Sequence, residues 1–310
     1  YNTEPNGFDS GEMSRFIKQI QIEGIHKVRE ETLVPSTPII KRDKGFYKKT
    51  DKVIEQLEKL MENGVSASML TSYIRDKVNF FNSYILKIKD DSVEETLGNS
   101  TLGNIVHDSI EEIYKRHTNK YLTKSFLEQF KGKVHRIVKK VARKYVKEKY
   151  LKKGKNLIII KTAEKYVMNA IEVDLKEINN GNKIKLIDVE VEFNKVFKFN
   201  NQEIKIRGKI DRIDEINNTL RVIDYKTGKK IYARELRLKN KEELFEEKGI
   251  YNLQLIVYAA AIYDEFENNN LKTGIISLKN RKEGFLTAFY GENEYLSAKE
   301  IDNCKEIVCS

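Results

Sequence analysis

The chain has 310 residues, 40% hydrophobic and 34% charged, with 57 Lys and Arg against 47 Asp and Glu for a net charge of +10. That apolar content supports a folded core and excludes wholesale disorder, and the length exceeds one ordinary domain, so a main core with a helical extension is expected. No stretch approaches the roughly 18 consecutive apolar residues of a membrane span, and no secretory pattern opens the chain, so it reads as a cytoplasmic protein with no membrane partner.

Taken from its start, the chain opens on Tyr1 rather than Met, as expected of a piece of a longer polypeptide. Residues 1–65 read as a helical segment. Phe46, Val53, Leu57 and Leu60 recur at helical spacing before Gly64, with Pro35 and Pro38 interrupting the run. A second helical block runs from Ser66 to about Asn179. It includes Leu102 to His117 and a long amphipathic stretch from Asn156 to Ile178, marked by Leu157, Ile160, Val167, Ile171, Leu175 and Ile178. Within this block residues 131–155 hold twelve Lys or Arg and one acid, Glu148, a local net charge of +11. Such a basic helix would displace counterions from a phosphate polyanion, and a solvated helix face is the other reading of the same charge.

From Lys183 the period changes to two. The run IKLIDVEVEFNKVFKF turns at Asn200 and Asn201, resumes as EIKIRGKIDRIDEI, turns at Asn217 and Asn218, and continues as TLRVIDYKT to Gly228. Asn tolerates the left-handed turn conformation, so the paired Asn residues predict a three-stranded antiparallel meander. A loop with short helical pieces over 229–249 leads to a helix over YNLQLIVYAAAIYDEF, and strands are predicted at 273–280 and 285–290.

Asp211 falls in the second of these strands, and Asp224 with Lys226 in the third. Residues two apart in a strand face the same side, so Asp224 and Lys226 project together and a neighbouring strand can bring Asp211 beside them. Two carboxylates on one face repel unless a cation holds them, and hard oxygen ligands suit Mg²⁺ or Mn²⁺. A lysine beside such a site can orient a water molecule. An isolated D-x-K is otherwise a common solvent-facing pair.

GKIDRIDEINNTLRVIDYKTGKK followed by QLIVYAAAIY closely resembles the RecB-type branch of the PD-(D/E)XK nucleases, AddB C-terminal domains included. GNIVH, at Gly103 to His107, resembles the G-x-x-x-H element of that family, with Glu111 one helical turn beyond. The resemblance implies His107, Asp211, Asp224 and the Tyr225 carbonyl as metal ligands, and Lys226 serving the nucleophilic water. Glu190 matches the family's acidic residue on the preceding strand and is held as a ligand or water-holder. Strand alternation places it on one face with Asp188 and Glu192. Gln254 and Tyr258, four apart on a helix, match Q-x-x-x-Y, which implies contacts to the scissile phosphate or the catalytic groups. His26, His117 and His135 are read as ordinary histidines.

Relatives often carry a four-cysteine iron-sulfur cluster, but Asp76 and Lys77 stand where they have Cys-Pro, and only Cys304 and Cys309 follow, so no cluster is expected. YNTEPNGFDSGEMSRFIKQI resembles the end of a helicase-like domain, and no phosphate-binding G-x-x-x-x-G-K-[ST] loop occurs. The expected fold is α/β. A restriction-endonuclease-like core over 66–310, with a central, mostly antiparallel mixed sheet flanked by helices, follows a helical N-terminal segment, 1–65. The expected function is divalent-metal-dependent, exonucleolytic hydrolysis of DNA phosphodiesters in double-strand break repair, beside a helicase partner. A catalytically idle DNA-binding or scaffolding domain, and a nuclease for another nucleic acid, are the competing readings.

Overall fold

Alternating strands and left-handed Asn turns build the main sheet. The computed structural model describes residues 14–27, 29, 49–88, 97–151, 153–240, 242–266 and 270–309. The readings placed on residues 1–13, Pro35, Pro38 and Phe46 lie outside them. The chain divides into two compact units, Tyr1–Tyr47 and Lys48–Ser310. Among the described residues of the first is one helix, α1 (Arg15–Glu23).

The second unit begins with α2 (Asp51–Glu62), β1 (Val65–Ser66), α3 (Ala67–Arg75) and α4 (Lys77–Phe80). Asp76 caps α4, its carboxylate accepting from the amides of Val78 and Asn79 at 2.9 and 3.0 Å. Next come α5 (Asn99–Tyr114), β2 (Lys120–Tyr121), α6 (Lys124–Lys131), α7 (Val134–Ala142), α8 (Glu148–Leu151) and α9 (Gly154–Asn179). The basic stretch 131–155 is therefore not one helix but is broken between α6, α7, α8 and the start of α9. Two of its lysines are paired with acids of α5, Lys140 with Glu112 at 2.8 Å and Lys144 with Asp108 at 3.0 Å.

The meander follows as β3 (Ile184–Phe199), β4 (Gln202–Ile216) and β5 (Thr219–Lys226). Asn200, Asn217 and Asn218 take φ of 53°, 48° and 65°, the left-handed conformation that the hairpin turns require. The chain closes with β6 (Arg237–Leu238), α10 (Ile250–Ile262), β7 (Asn270–Ser277), β8 (Phe285–Thr287), β9 (Phe289–Tyr290) and α11 (Ala298–Cys309).

The main sheet runs β2-β3-β4-β5-β7-β8, with β1 added beside β4. The β3–β4 and β4–β5 pairs are antiparallel, and β5 pairs with β7 in parallel, as the crossover through α10 demands. Helices α5 to α9 pack one apolar cluster against the sheet through residues such as Ile105, Ile110, Val138, Val167 and Ile223. A second cluster joins Met69 of α3, Ile256 and Val257 of α10 and Ile301 of α11 to Phe193, Ile206 and Val222. The mixed sheet thus lies between helical layers, as expected.

Candidate active site

Each site residue sits where its element leaves it little freedom. On α5, a Cβ at Gly103 would come within 3.4 Å of Thr227 Oγ1, so the helix packs close to the end of β5 and holds His107 one turn further along. On β4, Gly208 lies opposite Phe193, and a Cβ there would meet the Phe193 ring at 2.7 and 2.9 Å. The glycine of GKID therefore makes room for an aromatic ring, which in turn meets Tyr258 edge-on at 5.9 Å.

His107 Nδ1 lies 3.3 Å from Asp211 Oδ1 and 3.5 Å from Glu190 Oε1, and one ligand atom from each of the three lies within 4.8 Å of the others. Asp211 Oδ2 accepts from the Tyr225 amide at 2.6 Å, fixing the carboxylate from the neighbouring strand. Glu190 has φ of 54°, a conformation that side chains other than Gly rarely adopt. That residue breaks the alternation of β3, so the three acids do not act as one face. Glu190 reaches His107 and, through Oε2, Lys209 Nζ at 2.7 Å, whereas Asp188 pairs with Lys115 and Glu192 is exposed.

Asp224 and Lys226 do share a side of β5, with Lys226 Nζ 2.9 Å from Asp224 Oδ2. Lys226 also donates to Gln254 Oε1 at 2.8 Å, and Gln254 Nε2 donates to the Tyr258 hydroxyl at 2.8 Å. An ammonium only donates, so it fixes the Gln254 oxygen towards Lys226 and the amide nitrogen towards Tyr258. Tyr258 thus accepts from Gln254 and keeps its own proton to donate.

Burial opposes charge throughout the cluster, and the neighbours decide each outcome. Burial lifts the Asp224 carboxyl to about 6 even though Lys226 pulls it down, and Asp211 adds to the rise. Burial would also lift Asp211, but His107, the Tyr225 amide and Lys226 outweigh it and hold that carboxyl below its ordinary range. Burial depresses His107 and Lys226, yet the carboxylates beside them overcome it and raise both. Burial raises the Tyr258 phenol, with Asp224 adding to the effect, so it remains a neutral hydroxyl.

This donor set fits a hard divalent cation. Two carboxylates, Glu190 and Asp211, converge with one imidazole, and on the next strand, among the described residues, Asp224 Oδ2 is a buried carboxylate oxygen without a hydrogen-bond partner, in ion-pair range of Lys226 alone.

The structure brings together His107, Glu190 and Asp211 on one side, and Asp224, Lys226, Gln254 and Tyr258 on the other, with the Tyr225 amide joining the two strands. Sequence reasoning passed over Lys209, Arg212 and Asp214, although all three stand inside GKIDRID. His117 stacks on Phe126 and His135 pairs with Glu164, away from this cluster.

A helix-flanked mixed sheet that sets an aspartate on one strand against an Asp-x-Lys on the next defines a nuclease-type core. The chain belongs to the PD-(D/E)XK nuclease superfamily, whose family model matches residues 64–307. It is similar to the B subunit of the ATP-dependent helicase/deoxyribonuclease of Carboxydothermus hydrogenoformans, at 26% identity over 79% of this chain and 25% of that protein. It is similar to the protein of the same name in Clostridioides difficile, at 26% identity over 73% of this chain and 20% of that protein. The chain thus spans a quarter or less of the length of these relatives. A solved structure, the crystal structure of SSO0001, matches at 14% identity with a TM-score of 0.22, covering 77% of this chain and 82% of that one. Among the described residues, no helix is long and apolar enough to cross a membrane.

Proposed function

We propose that this chain is a divalent-metal-dependent DNA nuclease that hydrolyses phosphodiesters exonucleolytically during double-strand break repair, in company with a helicase partner or helicase-like domain. The observation that carries the reading is the convergence of His107, Glu190 and Asp211, with Asp224 on the next strand in electrostatic reach of Asp211 and His107 and paired with an ammonium, Lys226, that Gln254 also holds. The names of the two relatives support DNA as substrate and a helicase as companion. The N-terminal segment, 1–65, is read as the end of a helicase-like portion.

His107, Asp211, Asp224 and the Tyr225 carbonyl would hold Mg²⁺ or Mn²⁺, with Glu190 as a further ligand or water-holder. The ion would supply Lewis-acid polarisation of the phosphodiester and neutralise charge on the oxygens that gain it. Lys226 keeps its proton, since its pKa is raised, and so acts by orienting the attacking water and stabilising developing negative charge rather than by removing a proton. Tyr258 has a proton to donate to a phosphate oxygen. Burial of Asp211 and Asp224, with Lys226 half-buried beside them, limits the water that could weaken these interactions. Outside the pairs with α5, exposed Arg136, Lys147, Lys153 and Lys155 of the basic stretch would meet the substrate's phosphates, which predicts strong weakening of binding by salt.

The test is a cleavage panel of single- and double-stranded DNA and RNA, with Mg²⁺, Mn²⁺ or chelator. Metal-dependent release of nucleotides from DNA ends is expected. Cleavage of RNA alone would reassign the substrate, and binding of DNA with no cleavage under any metal would favour an idle scaffold.

Metal affinity should depend on pH with a definite sign. The ion requires a neutral His107 and an ionised Asp224, whereas the carboxylates hold a proton on His107 and burial holds one on Asp224 up to about pH 6. Mn²⁺ affinity is therefore expected to rise as pH increases through 6, with protons released on binding. Calorimetry at pH 5.5 and 7.5 in buffers of different ionisation enthalpy checks this; equal affinity and no proton release would count against these ligands.

A further inference from the structure

Asp211 and Asp224 are each followed by a residue whose side chain enters one buried cluster, Arg212 and Tyr225. The fully buried Arg212 guanidinium places NH1 2.8 Å from Asp174 Oδ2 on α9 and 3.1 Å from the Tyr225 hydroxyl, and NH2 2.6 Å from Asp214 Oδ2. Tyr114, at the end of α5, donates to the same Asp174 oxygen at 2.6 Å. Arg221 holds both oxygens of Asp214, at 2.7 and 2.8 Å. Two guanidinium groups balance two carboxylates, all four buried.

A buried ion network of this kind is a poor source of stability, because withdrawing the charges from water offsets their attraction, and well-packed apolar side chains often do as well or better. What it provides is direction. The cluster ties together α5, α9, β4 and β5, and three of these carry the site: His107 on α5, two turns before Tyr114; Asp211 on β4; Asp224 and Lys226 on β5. Its reach to the site is short. Arg212 grips the Tyr225 side chain, and the Tyr225 amide grips the Asp211 carboxylate at 2.6 Å, so a displacement of Tyr225 moves a ligand of the cation and its neighbour Asp224 together.

We propose that Arg212, Asp174, Asp214, Tyr114, Tyr225 and Arg221 form a positioning device that sets the spacing of the site's carboxylates across β4 and β5. The inference rests on the metal-site reading above. Groups that orient metal ligands from behind typically contribute 10–100-fold in metal affinity or activity, and that range is the expected effect here.

Two variants separate positioning from folding. Tyr225→Phe removes one hydroxyl and leaves every ion pair in place. The double variant Arg212→Met, Asp174→Leu removes one cation and one anion together and leaves Asp214 paired with Arg221. For each, thermal midpoint, Mn²⁺ affinity by calorimetry, and kcat and KM on a DNA oligonucleotide are measured. Expected are midpoints close to wild type, Mn²⁺ dissociation constants raised about 10-fold for Tyr225→Phe and up to about 100-fold for the double variant, kcat lowered in parallel, and KM unchanged. Wild-type Mn²⁺ affinity and kcat in both variants would overturn the inference while leaving the metal site standing, as would affinity losses that merely follow losses of thermal midpoint. Failure of the wild-type protein to bind Mn²⁺ would overturn the metal site and this inference with it.

Discussion

Asp224→Asn should abolish cleavage while leaving the metal-free protein at least as stable as wild type. The loss is expected to be on the order of a thousandfold or more, because a bound cation contributes several kcal/mol to the transition state and about 4 kcal/mol corresponds to that factor. The stability side follows from the raised carboxyl. With its pKa lifted from 3.8 to about 6, Asp224 binds a proton more readily in the folded chain than in the unfolded one. Its contribution to folding is therefore favourable on the acid side of that window and is lost as pH rises through about 6, leaving an unfavourable buried charge at neutrality. An amide of the same shape removes that charge. Thermal melts of wild type and variant at pH 7.5 in chelator, then in Mn²⁺, read both effects. The variant should melt at or above the wild-type midpoint without metal and gain little from Mn²⁺, whereas wild type gains as binding to the folded state requires. A marked fall in the midpoint of the metal-free variant would mean that Lys226 needs the Asp224 charge more than the fold is harmed by it.

Lys226→Met separates the second half of the site from the first. The ammonium touches Asp224 and Gln254 and lies 5.7 Å from the centre of the Tyr251 ring, and as a cation it offers no ligand atom to a metal. Methionine keeps most of the stem's packing and removes the charge. A positioned group acting on the attacking water typically contributes 10²–10⁴-fold, so kcat should fall by about that much, with Mn²⁺ affinity equal to wild type or tighter once the competing cation beside Asp224 is gone. Loss of Mn²⁺ binding in this variant, as complete as in Asp224→Asn, would make Lys226 a structural partner of Asp224 with no separate part in the chemistry.

How far these residues could be read without coordinates depended on how local their determinants are. The meander was legible because alternation sets the strands and paired Asn residues set the turns, and Asn217 and Asn218 both adopt the positive φ expected of them. Asp224 and Lys226 were legible as a pair because a strand has period two, and Gln254 with Tyr258 because a helix brings positions four apart together. Glu190 was matched by resemblance, but nothing in VEVEF distinguishes it from Asp188 or Glu192 by spacing. Its selection comes from a left-handed backbone at that one residue, with His107 and Lys209 receiving its two oxygens. The basic run between α6 and α9 misled in a different way. Composition gave its charge but not its breaks, nor that acids on α5 pair with Lys140 and Lys144. Least legible was the cluster around Arg212, since Asp174 on α9 is separated from it by 38 residues, and the partner of a buried charge is chosen by the fold rather than by its neighbours in sequence.

The proposed function has one metal-holding face and one lysine acting together on DNA. The most direct measurement is the rate of nucleotide release from end-labelled DNA by chelator-stripped protein on readdition of Mn²⁺, comparing wild type with Asp224→Asn and Lys226→Met. Mn²⁺ should restore activity in wild type alone, with both variants lower by at least about a hundredfold. Equal release by all three proteins, or release by wild type that persists in chelator, would contradict that joint role.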